Sequence, residues 1–140
     1  MEIKALCEDF IMPTRGSDTA GGFDIYMPEA GEAKMNTDKL VPLGFSTAIP
    51  PGFVALLLPR SGVGAKMGVR LRNTCGVIDA DYRGEWMAKI LTDGPDFKWE
   101  KGDRVLQFVI VPAYTPELQL VEELPETSRG EGGFGSTGKA

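Results

Sequence analysis

The sequence predicts an all-β domain built from short strands. Three observations carry this. Gly 18 and Pro 10 together make 28 of the 140 residues, well above the usual combined share of about 12%, so the chain reverses often and leaves little room for long helices. Its apolar runs are short, and the longest, Phe53 to Leu58, has six residues. Where apolar and polar residues alternate, as in Phe23-Asp24-Ile25-Tyr26-Met27, the period is two, the mark of a half-buried strand. At 140 residues with 42% hydrophobic content, the chain is one domain with enough apolar surface for a core.

The elements follow in order. Residues 2–7 alternate loosely and predict a first strand. Residues 10–22 hold Pro13, Gly16, Asp18 and Gly21-Gly22 and predict a loop. Phe23 to Met27 is the next strand, with the glycine pair at its entrance allowing close backbone approach. Taken alone, Asp24 reads as a turn-flanking surface acid. Residues 28–42 predict loop and edge strand. Leu43 to Ile49, the turn Pro50-Pro51-Gly52 and Phe53 to Leu58 predict a hairpin. Residues 61–67 predict a single helical turn, the only helix expected. A short strand at Val69 to Leu71, another at Trp86 to Thr92 and a long apolar strand at Val105 to Val111 follow, with Asp93 to Asp96 as a turn and Phe97 to Lys101 leading to the third. Residues 117–124 predict a last strand.

Charge and composition exclude several classes. A net charge of −5 argues against a general nucleic-acid binder, which needs a basic stripe. An acidic chain that takes a polyanion needs local donors and a divalent cation to offset repulsion. No apolar run is long enough for a membrane helix. The start Met-Glu-Ile-Lys-Ala-Leu-Cys lacks a basic head followed by an apolar stretch, so no signal peptide is expected. Cys7 and Cys75 are expected to be free thiols, and the location is expected to be cytoplasmic.

The chemistry concentrates in Asn73 to Trp86, which packs an amide, carboxylates, a phenol and a guanidinium into one stretch. The chain has no histidine. A base working near neutral pH is therefore a carboxylate, a lysine, a thiol or a metal hydroxide, and Asp79 and Asp81 are the aspartates here. Phe53 to Leu58 runs into Arg60-Ser61-Gly62, a guanidinium, a hydroxyl and backbone amides side by side. These are donors a phosphate takes, although alone they read as an ordinary strand exit. Gln107 interrupts an apolar strand and needs a partner if buried. Glycine takes five of the fourteen positions in residues 127–140, and by composition that tail reads as a disordered end. Its single arginine, Arg129, and single large apolar residue, Phe134, are also what a lid over a nucleotide needs.

Five segments, in order and nearly spanning the chain, resemble the trimeric dUTPase family, the deoxyuridine triphosphate nucleotidohydrolases. They are Ala20 to Tyr26, Pro59 to Gly62, Asn73 to Glu85, Gly102 to Gln107 and Arg129 to Gly138. Departures are small: Gly21, Phe23 and Val63-Gly64 replace commoner family residues. The resemblance implies a jelly-roll-like β-barrel subunit with one short helix, forming a homotrimer whose sites are shared among chains. It implies a barrel over residues 1–126 and an arm over 127–140 that closes on the site. The implied reaction is hydrolysis of dUTP to dUMP and pyrophosphate with Mg²⁺, lowering dUTP and supplying dUMP for dTMP synthesis.

The same resemblance assigns roles. Asp79 activates the attacking water, and Tyr82 packs against deoxyribose. Asn73 and the backbone of Gly76, Val77 and Ile78 read uracil, with Met87 close to sugar and base. Arg60, Ser61, Gly62 and Gln107 hold phosphates, and Asp24 lies near the metal's water shell. Arg129, Phe134, Gly135, Ser136 and Thr137 close over the nucleotide. Asp81 is expected to pair with an arginine such as Arg104, because two ionised carboxylates in one pocket repel. Two rival functions remain at this point. A dCTP deaminase of the same fold would want a catalytic glutamate near Lys89 and polar residues at Gly76 and Val77. A nucleotide-gated interaction protein would use the same site as a sensor.

Overall fold

The computed structural model describes residues 1–135 and residue 138. The strands are β1 (Glu2–Ala5), β2 (Thr14–Arg15), β3 (Gly22–Tyr26), β4 (Gly31–Ala33), β5 (Lys39–Pro42), β6 (Phe45–Ala48), β7 (Phe53–Pro59), β8 (Val69–Leu71), β9 (Gly76–Ile78), β10 (Met87–Thr92), β11 (Phe97–Trp99) and β12 (Arg104–Pro112). One helix, α1 (Ser61–Met67), is present among the described residues. It runs about two turns rather than one and ends at Gly68, whose φ of 70° is left-handed. The all-β class with a single short helix is as the sequence predicts.

The largest sheet has the order β2-β3-β12-β7-β9, and the others are β5-β10-β8, β1-β6 and β11-β4. All strand pairings are antiparallel. One core joins them. Ile25, Leu57, Leu106 and Phe108 from the five-stranded sheet meet Phe45, Leu71, Ala88 and Ile90 from the others. Its centre is aromatic: the Trp86 ring lies 5.0 Å from Phe45 and 5.1 Å edge-on from Phe108. Such pairs add about 0.5–1.5 kcal/mol each beyond area burial. The Trp86 indole is fully buried and donates Nε1–H to Thr47 Oγ1 at 3.0 Å.

Besides the helix length, the expected loop over 10–22 contains the short strand β2, paired with β3, and two larger expected features differ. β6 and β7 do not form a hairpin: β6 pairs with β1, and β7 pairs with β12 and β9. The turn between them closes, Phe53 N donating to Pro50 O at 3.2 Å. Pro50 and Pro51 bring no N–H to a ladder, and the chain steps from one sheet to another there. The last strand expected at 117–124 does not form. Leu118, Leu120 and Leu124 are 90%, 100% and 81% exposed, and a strand without a neighbour leaves its backbone groups unpaired. No helix among the described residues is long and apolar enough to cross a membrane.

Candidate active site

Two clusters of the expected residues sit on the large sheet. The first lies on β9, an edge strand of that sheet. Gly76, Val77 and Ile78 pair with Leu57, Leu56 and Ala55 of β7. Beyond them the chain turns, Tyr82 N donating to Asp79 O at 3.2 Å. A cavity of about 170 Å³ opens here, lined by Val77, Ile78, Asp79, Tyr82 and Met87. Met87 also borders a cleft of about 450 Å³ that Asn73, Gly76, Leu57 and Leu71 help to line. Gly76 has no room for a side chain, since a Cβ would lie 2.9 Å from Leu57 Cβ. Asn73 Nδ2 donates to Cys75 O at 3.3 Å, fixing the turn that enters β9.

Asp79 is exposed, and its carboxylate has no hydrogen bond or ion pair among the described residues. The turn that carries it is tied down from behind. Arg83 Nη1 donates to Ala80 O at 2.7 Å and reaches Thr47 O on β6 at 3.5 Å. Tyr82 OH donates to Glu85 O at 2.9 Å, and Glu85 Oε1 accepts from Gly44 N at 3.0 Å. The sequence reading missed Arg83 and Glu85 as supports. Their signal was available, since both follow Asp79 within the same polar stretch.

The second cluster lies where β7 gives way to α1. Arg60 precedes the helix, and Ser61 and Gly62 open it. Gln107 stands opposite Leu58 of β7 and Asp24 of β3. The Gln107 amide is satisfied, Nε2 donating to Pro59 O at 3.1 Å. It fits only because Gly22 lacks a side chain: a Cβ there would come to 2.7 Å from Gln107 Oε1. Asp24 is 7% exposed, not a surface acid. Its Oδ1 takes Arg60 Nε at 2.8 Å, and its Oδ2 takes Arg104 Nη1 at 3.2 Å. Arg104 therefore pairs with Asp24 rather than with Asp81, because the β12–β3 register sets it opposite Tyr26, two residues along β3 from Asp24.

The two clusters are not neighbours within one chain. Ile78 pairs with Ala55, which sets Asp79 beside Val54, six residues from Arg60 along β7. At roughly 3.3 Å per residue the separation is about 20 Å. The arm joins neither cluster. Arg129 Nε donates to Gly132 O at 2.8 Å within the arm itself, and Phe134 and Gly135 are exposed. Ser136 and Thr137 lie outside the described residues. No group of three or more acidic, cysteine or histidine side chains able to hold a metal occurs among the described residues. Lys89 pairs with Asp38 at 3.4 Å. Cys7 and Cys75 are free thiols.

An edge strand ending in an open carboxylate and an arginine-serine-glycine turn lie on the same sheet of this β fold, groups that suit a small phosphorylated ligand. The family model for dUTPase matches residues 8–138. The deoxyuridine 5'-triphosphate nucleotidohydrolase of Syntrophotalea carbinolica is 44% identical over 141 residues, covering 99% of this chain and 96% of that protein. The enzyme of the same name from Haemophilus influenzae is 42% identical over 135 residues, covering 94% and 89%. Among solved structures, the Staphylococcus bacteriophage 80alpha dUTPase with dUPNHPP superposes with a TM-score of 0.91 at 32% identity, covering 99% of this chain and 98% of that one. A mutant dUTPase from phage phi11 of S. aureus, described as coordinating a structural Mg(II) ion, gives 0.79 at 28%, covering 87% and 96%. The chain belongs to the dUTPase family, and its β architecture is the jelly-roll class expected from the resemblance.

Proposed function

We propose that this chain is a dUTP diphosphatase, hydrolysing dUTP to dUMP and pyrophosphate. The observation that carries this reading is the unpartnered Asp79 carboxylate at the end of edge strand β9, in a chain of this family. An edge strand presents N–H and C=O groups that no neighbouring strand takes, and uracil offers acceptor, donor, acceptor along its pairing edge. The backbone of Gly76 to Ile78, with Asn73, reads that edge. Cytosine reverses two of the polarities and leaves buried groups unpaired, at about 1–3 kcal/mol each. Tyr82 packs against deoxyribose with Met87 beside it, and a ribose 2′-hydroxyl would collide with the phenol.

In the reaction Asp79 takes a proton from water as that water attacks the α-phosphorus, and pyrophosphate leaves in line. Arg60, Ser61, Gly62 and Gln107 hold the phosphates. Magnesium, when bound, spreads the triphosphate's charge. Asp24 has both oxygens engaged by guanidinium groups and no carboxylate cluster surrounds it, so the donor set fits an ion that arrives on the triphosphate within its own waters. Asp24 would lie near the water shell of such an ion.

Asp79 and Arg60 serve one nucleotide only if they come from different chains. Their separation of about 20 Å along β7 supports a homotrimer with shared sites. So do Leu118, Leu120 and Leu124, which stand exposed on a segment that pairs with no strand among the described residues. Residues 127–140 act as the closing arm, with Arg129 on phosphate oxygens and Phe134 stacked on the base. Stacking of this kind contributes about 1–3 kcal/mol. The two free thiols support a cytoplasmic location.

The test is a product assay on dUTP, dCTP, dTTP and UTP with and without Mg²⁺. dUMP and pyrophosphate should form from dUTP alone and with Mg²⁺ only. Ammonia from dCTP, or no turnover of dUTP, would overturn the reading.

A further inference from the structure

We infer that the bulge in β12 at Arg104-Val105 is the device that positions Arg60, and that Arg104 is a positioning residue for the triphosphate end of the substrate. This rests on the dUTP diphosphatase reading. The ladder between β12 and β3 runs regularly from Val109 opposite Gly22 to Leu106 opposite Ile25, and then slips, so that Arg104 stands opposite Tyr26. Val105 is the extra residue. In an unbroken strand Arg104 would share a face with Leu106, whose side chain is fully buried in the core. The slip turns Arg104 onto the face of Gln107 and Asp24 instead, which is how a bulge re-aims a side chain.

Three contacts then converge on Arg60. Its backbone N–H donates to Val105 O at 3.1 Å. Its Nη1 donates to Arg104 O at 3.2 Å. Its Nε lies 2.8 Å from Asp24 Oδ1, while Arg104 Nη1 holds the other oxygen of that carboxylate at 3.2 Å. Asp24 is nearly enclosed, and the two arginine side chains are 34% and 43% exposed. The carboxylate is thus a fixed pivot between one guanidinium facing the substrate and one that steadies it. Arg60 spends Nε and Nη1 on the fold, leaving Nη2 without a partner among the described residues. An arginine long enough to sample many rotamers is held in one before any phosphate arrives, which lowers the ordering cost of binding.

The Arg104 side chain contributes nothing to the β9 cavity, so its removal should split the substrate in two. In Arg104→Gln the affinity for dUPNHPP should fall about tenfold or more, while the affinity for dUMP, which lacks the β- and γ-phosphates, stays within about twofold. Arg104→Lys, which keeps the charge on Asp24, should recover part of the loss. A defect in folding alone would weaken both ligands together, and that result, or unchanged dUPNHPP binding, would overturn the inference. If Arg104→Gln does not fold, the cycle with Asp24→Asn made on Arg104→Lys decides: the pair of changes should cost no more than Asp24→Asn alone, and additive losses count against it. Wild-type turnover of dUTP is read in the same experiment, so failure of the function and failure of the positioning role are separable.

Discussion

The phenol of Tyr82 stands directly over Gly84: a Cβ at that glycine would come within 2.5 Å of the hydroxyl oxygen and 2.6 Å of Cζ. The ring reaches this place because its hydroxyl is held by Glu85 O at 2.9 Å. Gly84→Ala forces the ring outward and opens the sugar side of the cavity. The preference for dUTP over UTP, measured as the ratio of kcat/KM values, should fall by about tenfold or more. An unchanged ratio would show that the ring does not police the 2′ position.

Among the described residues the Asp79 carboxylate has no partner that would compete for it, and the chain has no histidine to take over. Asp79→Asn should abolish turnover while leaving dUPNHPP binding within about threefold of wild type. A variant that still hydrolyses dUTP near the wild-type rate would mean that the proton goes elsewhere.

Arg83 ties the turn of Asp79 to β6 through main-chain oxygens. Arg83→Ala releases that turn, and a displacement near 1 Å can cost about a hundredfold in rate. We expect kcat to drop about tenfold or more with KM changed far less, and Arg83→Lys to lie between. Equal loss in stability and in dUMP binding would point to a purely structural part.

Removing residues 129–140 should lower kcat sharply without changing the oligomer, as seen by kinetics and by size in solution. Unchanged kinetics would return this segment to a passive tail.

Leu118→Asp with Leu120→Asp places two charges on the exposed apolar segment that the proposed homotrimer would bury against another chain. Burying an unpaired charge costs several kcal/mol, so the assembly should dissociate and activity should vanish with it. Sedimentation showing an intact, active oligomer would refute the assigned contact.

Much of the fold was legible because strand periodicity is local. Phe23 to Met27 and Phe53 to Leu58 appear where alternation and apolar runs place them. The β6–β7 hairpin was misjudged because a tight turn does not say which strands pair on either side of it. Residues 117–124 carry the composition of a strand, but a strand exists only where another offers hydrogen bonds. The site divides in the same way. Residue type alone narrows the base to Asp79 or Asp81 in a chain without histidine, whereas the choice of Asp79 and the parts of Tyr82 and of the Arg60-Ser61-Gly62 turn come from the family resemblance. That Asp24 is pinned by two arginines, or that Gly22 and Gly84 make room for Gln107 and Tyr82, follows from register and close approach, which the sequence does not display.

The distance along β7 between Asp79 and Arg60 also governs how damaged chains would behave in company. With sites shared between chains as proposed, a chain lacking only the aspartate and a chain lacking only the arginine would each be inert as pure preparations. Mixed and reassembled, they would form some sites in which the sound half of one meets the sound half of the other, and activity would return from two dead proteins.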